Sequence, residues 1–206
     1  MAILKSGILG GVSGRIGTVV GAGWKGIDVL RTYNGSPANP RTNAQVSNRD
    51  RFSSVTAIAS NLLATVIKPC WDRFAVKMSG YNAFASVNKD VFTMEGDFLK
   101  DDLLITKGKM LKVSDPGYEI TGRTVTLSWS DSIKDRYQQP TDLVFYAVIS
   151  NEGEVLASGG GSVPRSATVI DNIQIPSGFT TANCSAYLGF MRVDGSIVSD
   201  SAICLV

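Results

Sequence analysis

Gly21, Gly23 and Gly26 stand in a G-x-G-x-x-G array, the spacing that lets a backbone approach a dinucleotide pyrophosphate. That chemistry needs a buried strand before the array, a helix opening at the third glycine and an acid about 20 residues later. Here Ile27–Arg31 is β-prone and a proline-containing loop follows. Lys25 precedes Gly26 rather than Ser or Thr, so a phosphate loop of the Walker type is excluded as well. The glycines read as hairpin glycines. Asp101-Asp102 and the pair Glu152 and Glu154 are the paired acids. A glycosidase holds two carboxylates across a cleft, whereas these pairs fall in a connector and a turn, where acids are solvated. Calcium would need more oxygen ligands nearby than either segment offers.

Histidine is absent from the chain. Its absence removes the Ser-His-Asp and Cys-His constellations, nearly all catalytic zinc sites and the usual general base near pH 7. Three cysteines, Cys70, Cys184 and Cys204, are too few and too widely spaced for a metal cluster. With a two-residue turn at Asp194-Gly195, Cys184 faces Leu205 and the thiols of Cys184 and Cys204 point to opposite sheet faces, which forbids a disulfide. A one-residue slip of register reverses that conclusion. The reading adopted is three free buried thiols. No catalytic residue, cofactor site or metal site emerges, and the chain is read as a non-enzyme.

What remains is charge. Residues 1–90 hold 11 Lys+Arg and 4 Asp+Glu, a net of +7; residues 91–206 hold 9 and 14, a net of −5; together they make the +2 of the whole chain. Such a split suits two parts that face different partners, copies that meet head to tail, or simply two surfaces solvated by different charges. The candidate interface residues are Arg15, Trp24, Lys25, Arg31, Arg41, Arg49 and Arg51. With Lys5 and Tyr33 they also offer a nucleic-acid surface, but they are widely spaced and no helix-turn-helix or RNA-binding strand motif accompanies them. Arginines that pair with acids of an adjacent subunit fit better, because the planar guanidinium suits protein interfaces.

The elements that must position these residues follow from periodicity. Arg15–Val20 and Trp24–Arg31 flank Gly21-Ala22-Gly23 as a β-hairpin, which needs a packing partner because an isolated hairpin is marginal in water. After the loop of residues 33–41, Thr42 and Gln45 form a capping box for a helix. Its stripe of Val46, Phe52, Val55, Ile58, Ala59, Leu62, Leu63 and Val66 runs until Pro69 stops it near Ile67. Shorter helices are expected at Cys70–Met78, with Trp71, Phe74, Ala75 and Met78 on one face, and at Asn82–Phe92, with Phe84 and Val87 inward. Leu103–Thr106 and Met110–Val113 are brief strand candidates.

The period then changes to two. Strands are expected at Tyr118–Thr121, Thr124–Trp129, Asp142–Ser150, Glu154–Ala157, Ala167–Ile175, Cys184–Val193 and Ser196–Leu205, with turns at Asn151-Glu152-Gly153, Gly159-Gly160-Gly161, Pro176-Ser177-Gly178 and Asp194-Gly195. Seven short strands in about 90 residues describe a sandwich, and Trp129, Tyr146 and Tyr187 supply its large aromatics. The expected class is α+β: an N-terminal β-hairpin plus short helices over residues 1–92, a connector over 93–116, and an antiparallel immunoglobulin-like β-sandwich over 117–206. In pattern this half resembles fibronectin type III and related modules.

The run from Gly7 to Phe52, with Trp24-Lys25-Gly26, the Arg31 that precedes a short loop, and the Asn39-Pro40-Arg41-Thr42 entry to a helix that continues to Gln45, resembles an uncharacterised protein family of Bacteroidota and their bacteriophages. The ending from Tyr187 to Ser201 is similar as well. The resemblance brings no catalytic residues. It implies a structural assembly protein of a bacteriophage virion, as a tail, connector-ring or capsid-accessory component, assembled in the host cytoplasm with itself and other virion proteins. The N-terminus lacks a long apolar stretch, so no secretory leader and no membrane partner are expected. Two other classes stay open. One is an adhesin-like module for a glycan or host surface, for which Tyr137 is the exposed-looking aromatic. The other is a nucleic-acid-binding packaging accessory.

Overall fold

Residues 11–32 intersperse β-prone residues with glycine, and in the computed structural model the described ones join Ile3–Leu4 in a sheet rather than a single hairpin. The structure describes residues 3–4, 11–24 and 27–205. Strands β1 (Ile3–Leu4), β2 (Val12–Ile16), β3 (Val19–Trp24) and β4 (Ile27–Thr32) follow one another as an antiparallel meander, each paired with the next. The tight turn lies at Gly17-Thr18, where Gly17 takes a φ of 58°. Gly21 and Gly23, expected in the turn, are strand residues. Gly21 is needed for close approach: a Cβ there would collide with the Val12 carbonyl. This meander lies within the first of two compact units, Met1–Arg41 and Thr42–Val206. The division therefore lies at Arg41–Thr42 rather than at residue 92.

The second unit opens on α1 (Asn43–Leu62), whose N-cap Thr42 accepts a hydrogen bond from the Gln45 amide at 3.4 Å. Pro69 does not stop this helix near Ile67. The chain widens into a π-helical turn, Leu63–Ile67, and resumes as α2 (Lys68–Trp71) with the proline in its first turn, where a missing N–H costs least. The helix expected to reach Met78 ends at Trp71, and Phe74 and Met78 are exposed. Ser79 caps α3 (Gly80–Val87), which buries Phe84 but leaves Val87 exposed.

Leu103–Thr106 is not a strand, because its backbone is satisfied elsewhere. Leu104 N–H donates to the Asn88 side chain, the Ile105 carbonyl accepts from the Trp71 indole at 2.8 Å, and Ile105 N–H donates to the Ser201 hydroxyl. Met110–Val113 contributes one parallel bridge, Met110 to Ser199.

The rest is a two-sheet sandwich. One sheet runs β11 (Ala202–Ile203), β10 (Cys184–Met191), β7 (Leu143–Ser150) and β8 (Val155–Pro164); the other runs β5 (Ser114–Thr121), β6 (Thr124–Ser130) and β9 (Val169–Gln174). All neighbours pair antiparallel. Gly159-Gly160-Gly161 lies inside β8 instead of forming a turn. It leads into a bulge, since Phe145 faces Gly160 while Leu143 faces Pro164.

Two cores result. Tyr118, Leu127, Trp129, Val148, Leu188 and Phe190 fill the space between the sheets. Phe145, Ala147, Ile149 and Tyr187, on the opposite face of β7 and β10, pack against Val55, Ile58, Leu62, Val66 and Phe84 of the helices. The central sheet is thus covered on both faces, which explains why every residue of β10 is buried.

The hairpin before the C-terminus starts in the expected register, with Met191 opposite Val198, and then slips by one residue, so that Tyr187 faces Ile203 and Leu188 faces Ala202. The Ser201 N–H at the slip donates to the Thr106 carbonyl at 3.0 Å. In consequence Cys204 lies opposite Ala186 and shares a face with Cys184; both thiols, and that of Cys70, are buried and free.

Candidate interaction surface

Strand alternation sorts the arginines of the first unit. Arg15 pairs across β2–β3 with Val20, and Val20 pairs across β3–β4 with Arg31. The three side chains therefore form one row on one face of the sheet, Arg–Val–Arg, with both arginines exposed. Tyr33 joins that face: the Arg15 guanidinium lies 3.6 Å from its ring centroid, while Arg15 Nε donates to the Gly17 carbonyl at 2.8 Å. Ile27 and Val29 share the same face and are 59% and 40% exposed. The other face carries Ile16 and Leu30, at 56% and 66%. A sheet with large apolar side chains exposed on both faces is the most conspicuous surface among the described residues.

The remaining expected interface residues do not gather with this row. Trp24 ends β3, but its side chain lies outside the described residues, as does all of Lys25. Arg41 is exposed at the end of the first unit. Arg49 lies on α1 beside Phe52, which is 60% exposed and lines an open groove with Ser53 and Thr56. Val46, also assigned to the buried stripe of α1, is 40% exposed. Arg51 is committed within its own unit. Its Nε donates to the Phe92 carbonyl at 2.6 Å, and its Nη2 reaches the Lys89 carbonyl at 3.3 Å and the Asp90 carboxylate at 2.8 Å.

The sandwich offers a surface of opposite charge. Across the outer face of β5–β6–β9, Glu119 pairs with Thr126, and Thr126 lies opposite the bulge of β9 that carries Asp171. Both acids are exposed. A groove of 620 Å³ opens beside Glu119, lined by Gly117, Tyr118, Ile120, Thr126, Ser128 and Leu205 among others. Leu205 is 69% exposed there. No spacing rule applied to the sequence singles out Glu119 or Asp171. Their register across the sheet does.

The paired acids, expected to be solvated, do not converge. Asp101 and Asp102 are exposed on a 3-10 turn, and Glu152 and Glu154 are exposed at the β7–β8 turn. Among the described residues, no group of three or more Cys, Asp or Glu side chains is arranged to hold a metal ion. No helix of the described residues is long and apolar enough to cross a membrane. Tyr137 is half-buried, with the Arg136 guanidinium 4.7 Å from its ring centroid. Among the described residues one charge pair is fully buried, and it is structural. Arg165 and Asp142 meet at 3.3 Å, the Arg165 guanidinium lies 3.8 Å from the Phe190 ring centroid, and the Gln139 amide donates to the same carboxylate.

Comparison with known proteins adds one positive finding. No curated protein matches the chain. Among solved structures it is similar to the Clostridium perfringens spore cortex lytic enzyme SleM, at 17% identity and a TM-score of 0.28 over 46% of this chain. The chain spans only 27% of that enzyme's length, and the likeness is too slight to bear on fold or activity. A family model described as "Family of unknown function (DUF6266)" matches residues 11–204, so the chain belongs to that family.

Proposed function

We propose that this protein is a structural assembly component of a bacteriophage virion, a tail, connector-ring or capsid-accessory protein that works through protein–protein contacts and not by catalysis. One observation carries the assembly reading: every residue of β4 is exposed in a four-stranded sheet that bares apolar side chains on both faces. A sheet of this size gains its stability from a covered face. An apolar surface of this kind marks a site of association. The phage setting rests on the similarity of Gly7–Phe52 to a family of Bacteroidota and their bacteriophages. It accords with a chain whose positive and negative charges are segregated along its length. Light scattering on the purified chain over rising concentration tests the reading. It predicts masses at multiples of 21.9 kDa, or transfer of the chain into a larger particle when co-expressed with its neighbouring genes. A strict monomer that joins no particle contradicts it.

A further inference from the structure

The charged rows of the two units match in spacing as well as in sign. Arg15 and Arg31 stand two strands apart on the first sheet, and Glu119 and Asp171 stand two strands apart on the outer sandwich sheet. Neighbouring strands are about 4.8 Å apart, so each row places its charges about 10 Å from one another. The centre of one row is Val20 and of the other Thr126, neither of them charged. The geometry points to a head-to-tail contact between copies of this chain, in which the Arg15–Val20–Arg31 row of one copy lies on the Glu119–Thr126–Asp171 row of the next. This rests on the assembly reading above and names its partner.

The pairing has a direction. Tyr33 stands against Arg15, and the groove lined by Ile120 and Leu205 opens beside Glu119. Setting Arg15 on Glu119 and Arg31 on Asp171 delivers the Tyr33 ring to that groove. The reverse setting takes it away. An aromatic anchor entering an apolar groove between two charge-assisted pairs is the composition of an interface centre. The two surfaces are different patches of one chain, so the contact is heterologous. It generates rings where the rotation closes and filaments where it does not, the geometry that a connector ring or a tail requires.

The test is a charge-swap cycle read by sedimentation velocity on the intact chain. Arg31→Glu and Asp171→Lys are each expected to raise the concentration needed for assembly roughly tenfold, as unlike charges become like. The double variant, carrying both reversals, is expected to return to within roughly threefold of wild type. Arg15→Glu with Glu119→Lys forms a second, independent cycle, and Arg31→Gln with Asp171→Asn a milder one should a reversal disturb folding. Circular dichroism of each variant reads folding separately. Assembly that ignores the single reversals, or a double variant no better than the singles, overturns the contact and leaves assembly itself standing. A wild-type chain that stays monomeric at every concentration overturns both.

Discussion

The Arg165 guanidinium lies 3.3 Å from the Asp142 carboxylate with both side chains sealed from solvent, and the Arg165 amide donates to the Asp142 carbonyl at 2.7 Å. Asp142 directly precedes β7 and Arg165 directly follows β8, and the Arg165 carbonyl accepts from the Trp129 indole at 2.8 Å. It therefore joins the two sheets. Burial lowers the Arg165 pKa, with the Asp142 charge and hydrogen bond opposing the shift. Replacing Arg165 with Met leaves the Asp142 charge buried without its partner. A loss of about 3–5 kcal/mol is expected in urea unfolding. Adding Asp142→Asn to Arg165→Met recovers part of that loss, because the uncompensated charge disappears. A single variant as stable as wild type would contradict this account of the joint.

Alkali should unfold the protein through its buried acids. Burial pushes the Cys204 thiol up to about 12 from 9.0. Burial, and secondarily Cys184 and Cys204, pushes the Tyr118 phenol up to about 12 from 10.0. Burial raises Cys70 and Tyr187 further still. A raised folded-state pKa means that the unfolded chain releases the proton first, so stability is fully present below the unfolded value and falls as pH rises through the folded one. Thermal melts are expected to be level below a pH of about 9 and to fall steadily toward about 12, and Cys204→Ala should make the fall shallower. A midpoint independent of alkaline pH would contradict it.

Arg51 holds the segment after α3 by donating to two carbonyls and one carboxylate. Its Asp90 partner is largely exposed. The carbonyl contacts should therefore outweigh the ion pair. Asp90→Ala is expected to cost at most about 1 kcal/mol, and Arg51→Ala about 1–3 kcal/mol. Equal losses in chemical denaturation would show that the ion pair dominates instead.

The Thr42 cap marks the point where the second unit begins. Its hydroxyl accepts from the Gln45 amide, and Thr42→Ala is expected to cost about 1 kcal/mol by removing that acceptor. Thr42→Ser should be close to neutral. A calorimetric midpoint unchanged in the alanine variant would argue against the cap.

Much of the fold is visible in the sequence because local signals fix it: the Thr42–Gln45 box, the strands around Thr124–Trp129, Leu143–Ser150 and Cys184–Met191 and the turns at Gly153 and Gly195 recur in the structure, whereas the strand expected over Ser196–Leu205 is reduced to Ala202–Ile203. What misled were residues whose partners are distant. Pro69 reads locally as a helix stop, yet the π-helical turn before it carries the chain through. The glycines at 159–161 read as a turn, yet Phe145 and Tyr146 pack over Gly160 and Gly159 inside a strand. The packing of the helices on the sandwich left one trace, the unbroken apolar character of Leu143–Ser150 and Cys184–Met191, which marks a sheet covered on both faces. Of the proposed contact, Arg15 and Arg31 are among the residues that the sequence offers for an interface, whereas Glu119 and Asp171 are not. Only strand register places two acids so far apart in sequence in a single row.

Hydrogen–deuterium exchange on the intact chain, compared between dilute and concentrated solution, tests the assembly claim most directly. Amides of β2 and β4 are expected to slow by roughly tenfold or more on concentration, and those of β5 to slow with them, while the already buried strand β10 and helix α3 stay unchanged. Exchange at β2 and β4 that is fast and equal at both concentrations would contradict the claim that this sheet is where copies meet.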